Sequence, residues 1–276
     1  MVNIEDIKND LRYLTLLSER FPNSKAVITE LINLRAILSL PKGTEHFVSD
    51  LHGESSAFIH TIKNASGVIR HKIDDLFGDE MSETEKRALC ALIYYPDERI
   101  ELVQRSLYEW VDGLDEGIGD FSIEDWYRIR LHQVVVVARA VTIKYSRSKV
   151  RKMLPKDYAY IIDELLHESN IESDRAVYYN AIIDTIIGLG CAEKLITAIS
   201  YLIHGFTIDT LHVVGDIFDR GSGAAKILDV LSTLRDYDIQ WGNHDIEWMG
   251  AMAGNPALIA TVLRVSIRYA NIETLE

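Results

Sequence analysis

Cysteine is nearly absent, with Cys90 and Cys191 the two in 276 residues. Both sit in apolar runs of helical character, and neither has C-x-x-C spacing. That argues against a disulfide framework or a thiolate metal site and leaves small buried side chains in a reducing compartment. Basic residues are also few: 29 Lys and Arg stand against 42 Asp and Glu, giving a net charge of −13 and a pI near 5.2. A nucleic-acid partner needs clustered cations and is not expected. A small phosphate-bearing substrate stays open, because bound cations can reverse the local field. No apolar window reaches the roughly 18 residues that span a bilayer, so no membrane partner is expected. The start, Met1-Val2-Asn3-Ile4-Glu5-Asp6, lacks the basic and apolar regions of a secretory signal. A cytoplasmic location is the expectation. Repeats, low-complexity tracts and flexible linkers are missing as well.

What is present is a core-forming chain, 47% hydrophobic. Ile4, Ile7, Leu11, Leu14 and Leu17 recur at helical spacing over residues 4–20. A second helix is expected from about Ser24 to Leu40, ended by Pro41. A strand follows at 45–50, then a helix with Phe58, Ile59 and Ile62 on one side. From about 80 to 204 the pattern is almost wholly helical. Ser82 and Glu85 have capping-box spacing, Pro96-Asp97-Glu98 suits a first turn, and Ser122 to Asp125 opens another helix. That helix is apolar all round from Val134 to Ala138, which predicts burial. Helices are also expected at 174–187, 192–203 and 257–270. Between the last two, a strand from Leu211, a helix over 224–235 and a strand over 238–242 form a βαβ unit with parallel strands.

Three apolar strands end in chemistry-bearing residues. Glu45-His46-Phe47-Val48-Ser49-Asp50-Leu51-His52-Gly53 ends in D-x-H-G. Thr210 to Gly221 ends in G-D-x-x-D-R-G, with Asp216, Asp219 and Arg220. Asp238 to Asp245 ends in G-N-H-D, with Asn243, His244 and Asp245. Each motif alone has a bland explanation: a chance pair, a helix cap, a turn. Together, in this order and each after an apolar strand, they point to one site at the carboxyl ends of a sheet. In an extended strand Asp50 and His52 would share a face and could reach one metal.

These motifs resemble the metallophosphoesterase superfamily, and the G-D-x-x-D-R-G and G-N-H-D forms are similar to its phosphoprotein-phosphatase branch. The amino-terminal helices, the long helical insertion, and the runs Gln240 to Asp245 and Trp248 to Ala251 resemble the class III fructose-1,6-bisphosphatases of bacteria. The resemblance implies an α/β fold: the amino-terminal half of a metallophosphoesterase β-sandwich flanked by helices. Residues 1–44 would be an amino-terminal helical segment. Residues 45–276 would be a partial core interrupted by an all-helical insertion at about 80–204. It further implies a two-metal Mn²⁺ site. Asp50 and His52 would ligate the first ion, Asp216 would bridge both, and Asn243 would ligate the second. His244 would be the general acid, oriented by Asp219, and Arg220 would hold the phosphate. Carboxylate, imidazole and amide oxygen suit Mn²⁺. Two such ions activate a water to hydroxide and clamp the transferring phosphoryl group. The implied reaction is hydrolysis of fructose 1,6-bisphosphate to fructose 6-phosphate and phosphate, in gluconeogenesis.

Two departures accompany the resemblance. Ser222 stands where the family has proline after D-R-G. No histidine occurs between Asp245 and Glu276, whereas the superfamily completes its metal shell with histidines further on. The chain reads as the amino-terminal part of a longer enzyme, with the second metal site incomplete and activity impaired. A missing carboxyl-terminal polypeptide, or self-association through an exposed sheet edge and apolar face, would be its partner besides the sugar phosphate. Competing readings are a phosphoprotein or dinucleoside-polyphosphate phosphatase, and an inactive fragment or subunit. The remaining histidines are assigned no role, and His46 and His212 are expected to be structural. The acids at Asp74-Asp75 and Asp112 to Glu116 read as solvated faces. The cations Lys149, Arg151 and Lys152 read as a solvated helix end in preference to an effector-phosphate site.

Overall fold

The computed structural model describes residues 8, 10–113, 122–167 and 175–275. They fall into two units, residues 1–42 with 144–146, and residues 43–143 with 147–276. The first unit contains α1 (Leu11–Arg20) and α2 (Ser24–Leu38). Asp10 caps α1 by accepting from the Tyr13 N–H at 3.0 Å, and Asn23 caps α2 from Ala26 at 3.0 Å. Neither helix buries a residue. The apolar positions that predicted the helices are thus on the surface at Leu11, Leu14, Val27, Ile28, Leu31 and Leu34. Ile4 and Ile7 lie outside the described residues.

The second unit is α/β and mostly helical. It begins with β1 (Glu45–Val48) and continues through α3 (Ser55–Asn64), α4 (Val68–Phe77), α5 (Glu83–Tyr94), α6 (Pro96–Gly113) and α7 (Ile123–Thr142). Next come α8 (Arg147–Met153), α9 (Ala159–His167), α10 (Arg175–Gly188) and α11 (Ala192–Thr207). The βαβ unit follows as β2 (Thr210–Val213), α12 (Ala224–Thr233) and β3 (Tyr237–Ile239), and the chain ends in α13 (Asn243–Met252) and α14 (Pro256–Arg268). The expected capping box is formed: Glu85 N–H donates to Ser82 Oγ while Glu85 accepts from the Ser82 N–H at 2.8 Å. Ser122 and Asp125 make the same exchange at the start of α7. The all-apolar centre of α7 is buried at Val134, Val135, Val137 and Ala138, and the helix packs on α11, where Leu195, Ile196, Ile199 and Ile203 are also buried.

The sheet is parallel in the order β1-β2-β3, with Val48 opposite Val213 and Val213 opposite Ile239. One face carries Leu211 and Val213 into a core with Phe58 of α3 and Ala224, Ile227 and Leu231 of α12. The other face presents Phe47, His212 and Asp238. His212 stacks on Phe47 with centroids 4.5 Å apart, and its Nδ1 lies 2.7 Å from Asp238 Oδ2. The expected structural role of His212 is this cross-strand pair.

Several expectations need correction. Strands predicted at 45–50 and 238–242 end at Val48 and Ile239, so the motif residues lie beyond the sheet. Helix α13 was not anticipated, and G-N-H-D is its first turn. Asp74 is not simply solvated: it lies 3.0 Å from Arg70 Nε and 3.5 Å from Lys86 Nζ, a lysine only 7% exposed. The Asp112 to Glu116 run has no described side chains. Arg151 pairs with Asp163 at 2.9 Å and Lys149 with Asp209 at 2.9 Å, so these two cations are matched by acids. Both cysteines are free, Cys90 buried and Cys191 partly so. Among the described residues no single helix is long and apolar enough to cross a membrane.

His204, on the buried side of α11, has its Nε2 enclosed without a partner. Burial of the ring lowers its pKa from 6.5 to about 4, against a hydrogen bond with Ile93 that raises it. The unfolded chain therefore takes up this proton before the folded one does. Stability should fall as pH drops from about 6.5 to 4, by on the order of 2 kcal/mol for this group. Urea unfolding across that window should show the slope, and His204→Gln should flatten it.

Candidate metal centre

The loops after β1 and β2 continue the strand ladder. Val214 N–H donates to the Val48 carbonyl at 2.7 Å, Asp50 N–H to Gly215 at 3.2 Å, His52 N–H to Asp216 at 2.8 Å, and Gly53 N–H to Ile217 at 2.8 Å. Gly221 N–H returns to the His52 carbonyl at 2.7 Å. This lacing fixes the D-x-H-G loop against the G-D-x-x-D-R-G loop. A Cβ on Gly53 would stand 2.0 Å from the Gly221 carbonyl oxygen, so both motifs need glycine where they cross.

Strand alternation is not what brings Asp50 and His52 together. Both have left-handed backbones, with φ of 55° and 45°, and the chain turns tightly between them. Ligand atoms of Asp50, His52 and Asp216 nonetheless all lie within 4.8 Å of one another. Asp216 is itself left-handed, φ 56°. The parallel register places it beside the first pair, as the sheet-edge argument anticipated.

Asp219, 4% exposed, lies between two histidines. Its Oδ2 is 3.3 Å from His244 Nε2, the anticipated contact. Its Oδ1 is 2.7 Å from His52 Nδ1, which was not anticipated. The latter approach is off the line of a hydrogen bond and leaves that buried nitrogen without a partner. The two imidazoles sit edge to face with centroids 5.8 Å apart. His244 Nδ1 is 3.6 Å from Glu247 Oε2 and makes no hydrogen bond. Arg220 is half exposed, with its guanidinium carbon 6.0 Å from the Tyr269 ring centroid. Asn243 is exposed and opens α13. Its neighbour His244 donates its N–H to Asp216 Oδ1 at 3.2 Å, which ties the third motif to the first two.

Two contributors escaped the sequence reading. Asp245 is fully buried, and its carboxylate accepts four backbone N–H bonds. Oδ2 takes Asp216 at 2.7 Å and Gly242 at 2.9 Å; Oδ1 takes Ile217 at 2.8 Å and Phe218 at 3.2 Å. The available signal was an acid three residues into a helix after a glycine cap. The other is Asn271, buried after α14, whose Nδ2 donates to the carbonyls of Asp219 and Gly221. Nothing in its local sequence marks it.

The donor set fits a divalent cation. Two carboxylates and an imidazole converge, with the imidazole Nε2 turned to Asp50 at 3.7 Å and its Nδ1 turned to Asp219. Hard oxygen donors with one nitrogen suit Mn²⁺, Zn²⁺ or Fe²⁺. Asp50, His52 and Asp216 thus form a group able to hold a metal, at the carboxyl edge of a parallel sheet where α/β folds place ligands.

An acid–imidazole–acid cluster on such an edge defines the class: an α/β protein with a group able to hold a hard cation. Residues 12–276 match the family described as Firmicute fructose-1,6-bisphosphatase. A protein of Porphyromonas gingivalis named fructose-1,6-bisphosphatase class 3 is 52% identical over 270 residues, covering 98% of this chain and 39% of its own. One of the same name from Clostridium botulinum strain Loch Maree is 51% identical over 274 residues, 99% of this chain and 39% of its own. The chain belongs to the Firmicute fructose-1,6-bisphosphatase family. It spans about two fifths of the length of these relatives. No solved structure matches it.

Two substitutions test this construction. Asp245→Asn puts an amide donor against backbone donors, and should cost on the order of 3 kcal/mol in denaturant unfolding. Asp50→Gly removes a metal donor and relieves a left-handed backbone. Its urea midpoint should hold or rise, by up to about 1 kcal/mol of stability, while Mn²⁺ affinity measured by calorimetry drops at least tenfold.

Proposed function

We propose that this chain forms the metal-binding, amino-terminal part of a metallophosphoesterase β-sandwich that hydrolyses fructose 1,6-bisphosphate to fructose 6-phosphate and phosphate, a gluconeogenic step. The observation that carries the reading is the convergence of Asp50, His52 and Asp216 in a chain of this family. The names of the relatives support the sugar bisphosphate as substrate.

Asp50 and His52 would hold the first Mn²⁺, Asp216 would be shared, and Asn243 would serve the second. That second shell draws on groups outside these 276 residues. The ions would supply positive charge for the phosphoryl oxygens and an activated water. The residues of the chain do the rest. Arg220 leaves its guanidinium half exposed at the rim, free to form the bidentate contact that phosphate accepts and to stabilise charge building on it. Water oxygen adds to phosphorus as the phosphorus–oxygen bond to the sugar breaks. His244 gives the departing alkoxide its proton. Asp219, against Nε2 of that ring, holds its orientation.

Phosphate release in Mn²⁺ from fructose 1,6-bisphosphate, a phosphopeptide and a dinucleoside polyphosphate tests the assignment. The sugar bisphosphate should be preferred, and Asp216→Asn should nearly abolish release from it. A preference for either other substrate would overturn the substrate assignment, and unchanged turnover in Asp216→Asn would overturn the site.

A further inference from the structure

Helix α14 ends in a Schellman cap. Ala270 N–H donates to the Ile267 carbonyl at 3.2 Å and Asn271 N–H to Ser266 at 2.8 Å. Ala270 takes the left-handed conformation, φ 54°, where glycine is usual. The reversal sends the next side chain back toward the D-R-G loop. Asn271 is 3% exposed, and its Nδ2 donates to the Asp219 carbonyl at 3.1 Å and the Gly221 carbonyl at 2.8 Å. These are the two residues flanking Arg220. Its Oδ1 accepts from Thr274 Oγ1. The amide can face only one way, because carbonyls cannot donate and so the pair of them must meet the NH₂. Two residues earlier, the Tyr269 ring lies 6.0 Å from the Arg220 guanidinium carbon, within cation–π reach.

We propose that Asn271 is a positioning residue for phosphate binding, acting through Arg220. Its amide grips the backbone on both sides of the arginine, Thr274 fixes the amide, and Tyr269 limits the sweep of the guanidinium. The loop needs such a brace. Asp219 has φ of 110°, and the half-exposed Arg220 guanidinium makes no side-chain hydrogen bond among the described residues, with Asp219 Oδ2 3.9 Å from its Nε and the Tyr269 ring beside it. Pre-set direction is what turns an exposed cation into a bidentate phosphate fork. The proposal rests on the phosphate role given to Arg220 above.

Calorimetric titration of the Mn²⁺-loaded protein with inorganic phosphate tests it as a double-mutant cycle. Asn271→Ala should weaken phosphate binding on the order of tenfold, the effect of releasing two hydrogen bonds. In an Arg220→Ala background the same change should have no further effect. Thr274→Val, which keeps the buried amide but takes away the hydroxyl that holds its Oδ1, should weaken binding several-fold with the same non-additivity. It is also the variant to use where Asn271→Ala does not fold. Full affinity in both Asn271→Ala and Thr274→Val would overturn the proposal. So would a loss of equal size with and without Arg220, which would mark general damage. If Arg220→Ala itself binds phosphate normally, or the parent binds none, the functional reading fails first and the brace with it.

Discussion

Everything at the sheet edge depends on one buried anion. Taking a carboxylate out of water costs several kcal/mol unless its acceptor sites are filled, and Asp245 meets that condition with backbone alone. Each oxygen receives two N–H groups, three from the loop after β2 and one from the glycine that caps α13. Those amides would otherwise be orphan donors at a strand end and a helix start. One side chain therefore solves the hydrogen-bonding problem of two elements at once, and holds Asp216 and His244 at a fixed separation. Close backbone approach follows from it. A Cβ on Gly242 would stand 2.1 Å from Asp216 Oδ1, and one on Gly215 would stand 2.4 Å from Gly242 N.

The same edge is where the backbone is least relaxed. Among the described residues, seven non-glycine positions have positive φ, and four of them are Asp50, His52, Asp216 and Asp219. Each costs on the order of 1 kcal/mol or more. The lattice of loop-to-loop hydrogen bonds from Val48 to Gly223 over-determines the conformation and keeps the four residues there.

Much of this was legible in the sequence. Parallel β2 and β3 with the helix between them, the capping box at Ser82, the helix start at Ser122, and the buried centre of α7 all follow from local periodicity and cap chemistry. So did the convergence of three motifs, because each follows an apolar strand and parallel strands end on one edge. What was not legible is what period-2 logic misrepresents. Asp50 and His52 meet through left-handed turns, which no alternation rule describes. Helix α13 hides behind a motif whose residues look like strand-end chemistry, and it has a weak apolar pattern, with Ile246 and Met249 exposed. Asn271 is tied to Asp219 and Gly221 across some fifty positions, and sequence spacing carries no trace of such a bond. Asp219 bridging two histidines in place of one is likewise a matter of three-dimensional packing.

The left-handed residues have an evolutionary corollary. At most positions the pressures for a sound backbone and for a useful side chain agree, or at least do not collide. At Asp50, His52, Asp216 and Asp219 they oppose each other, since glycine or asparagine would suit the local dihedrals better. A population of variants screened only for soluble expression should drift toward those two residues at these sites. Lineages that retain aspartate and histidine there are recording a history of use, and the four positions can serve as a register of whether a divergent copy of this gene is still under selection for chemistry.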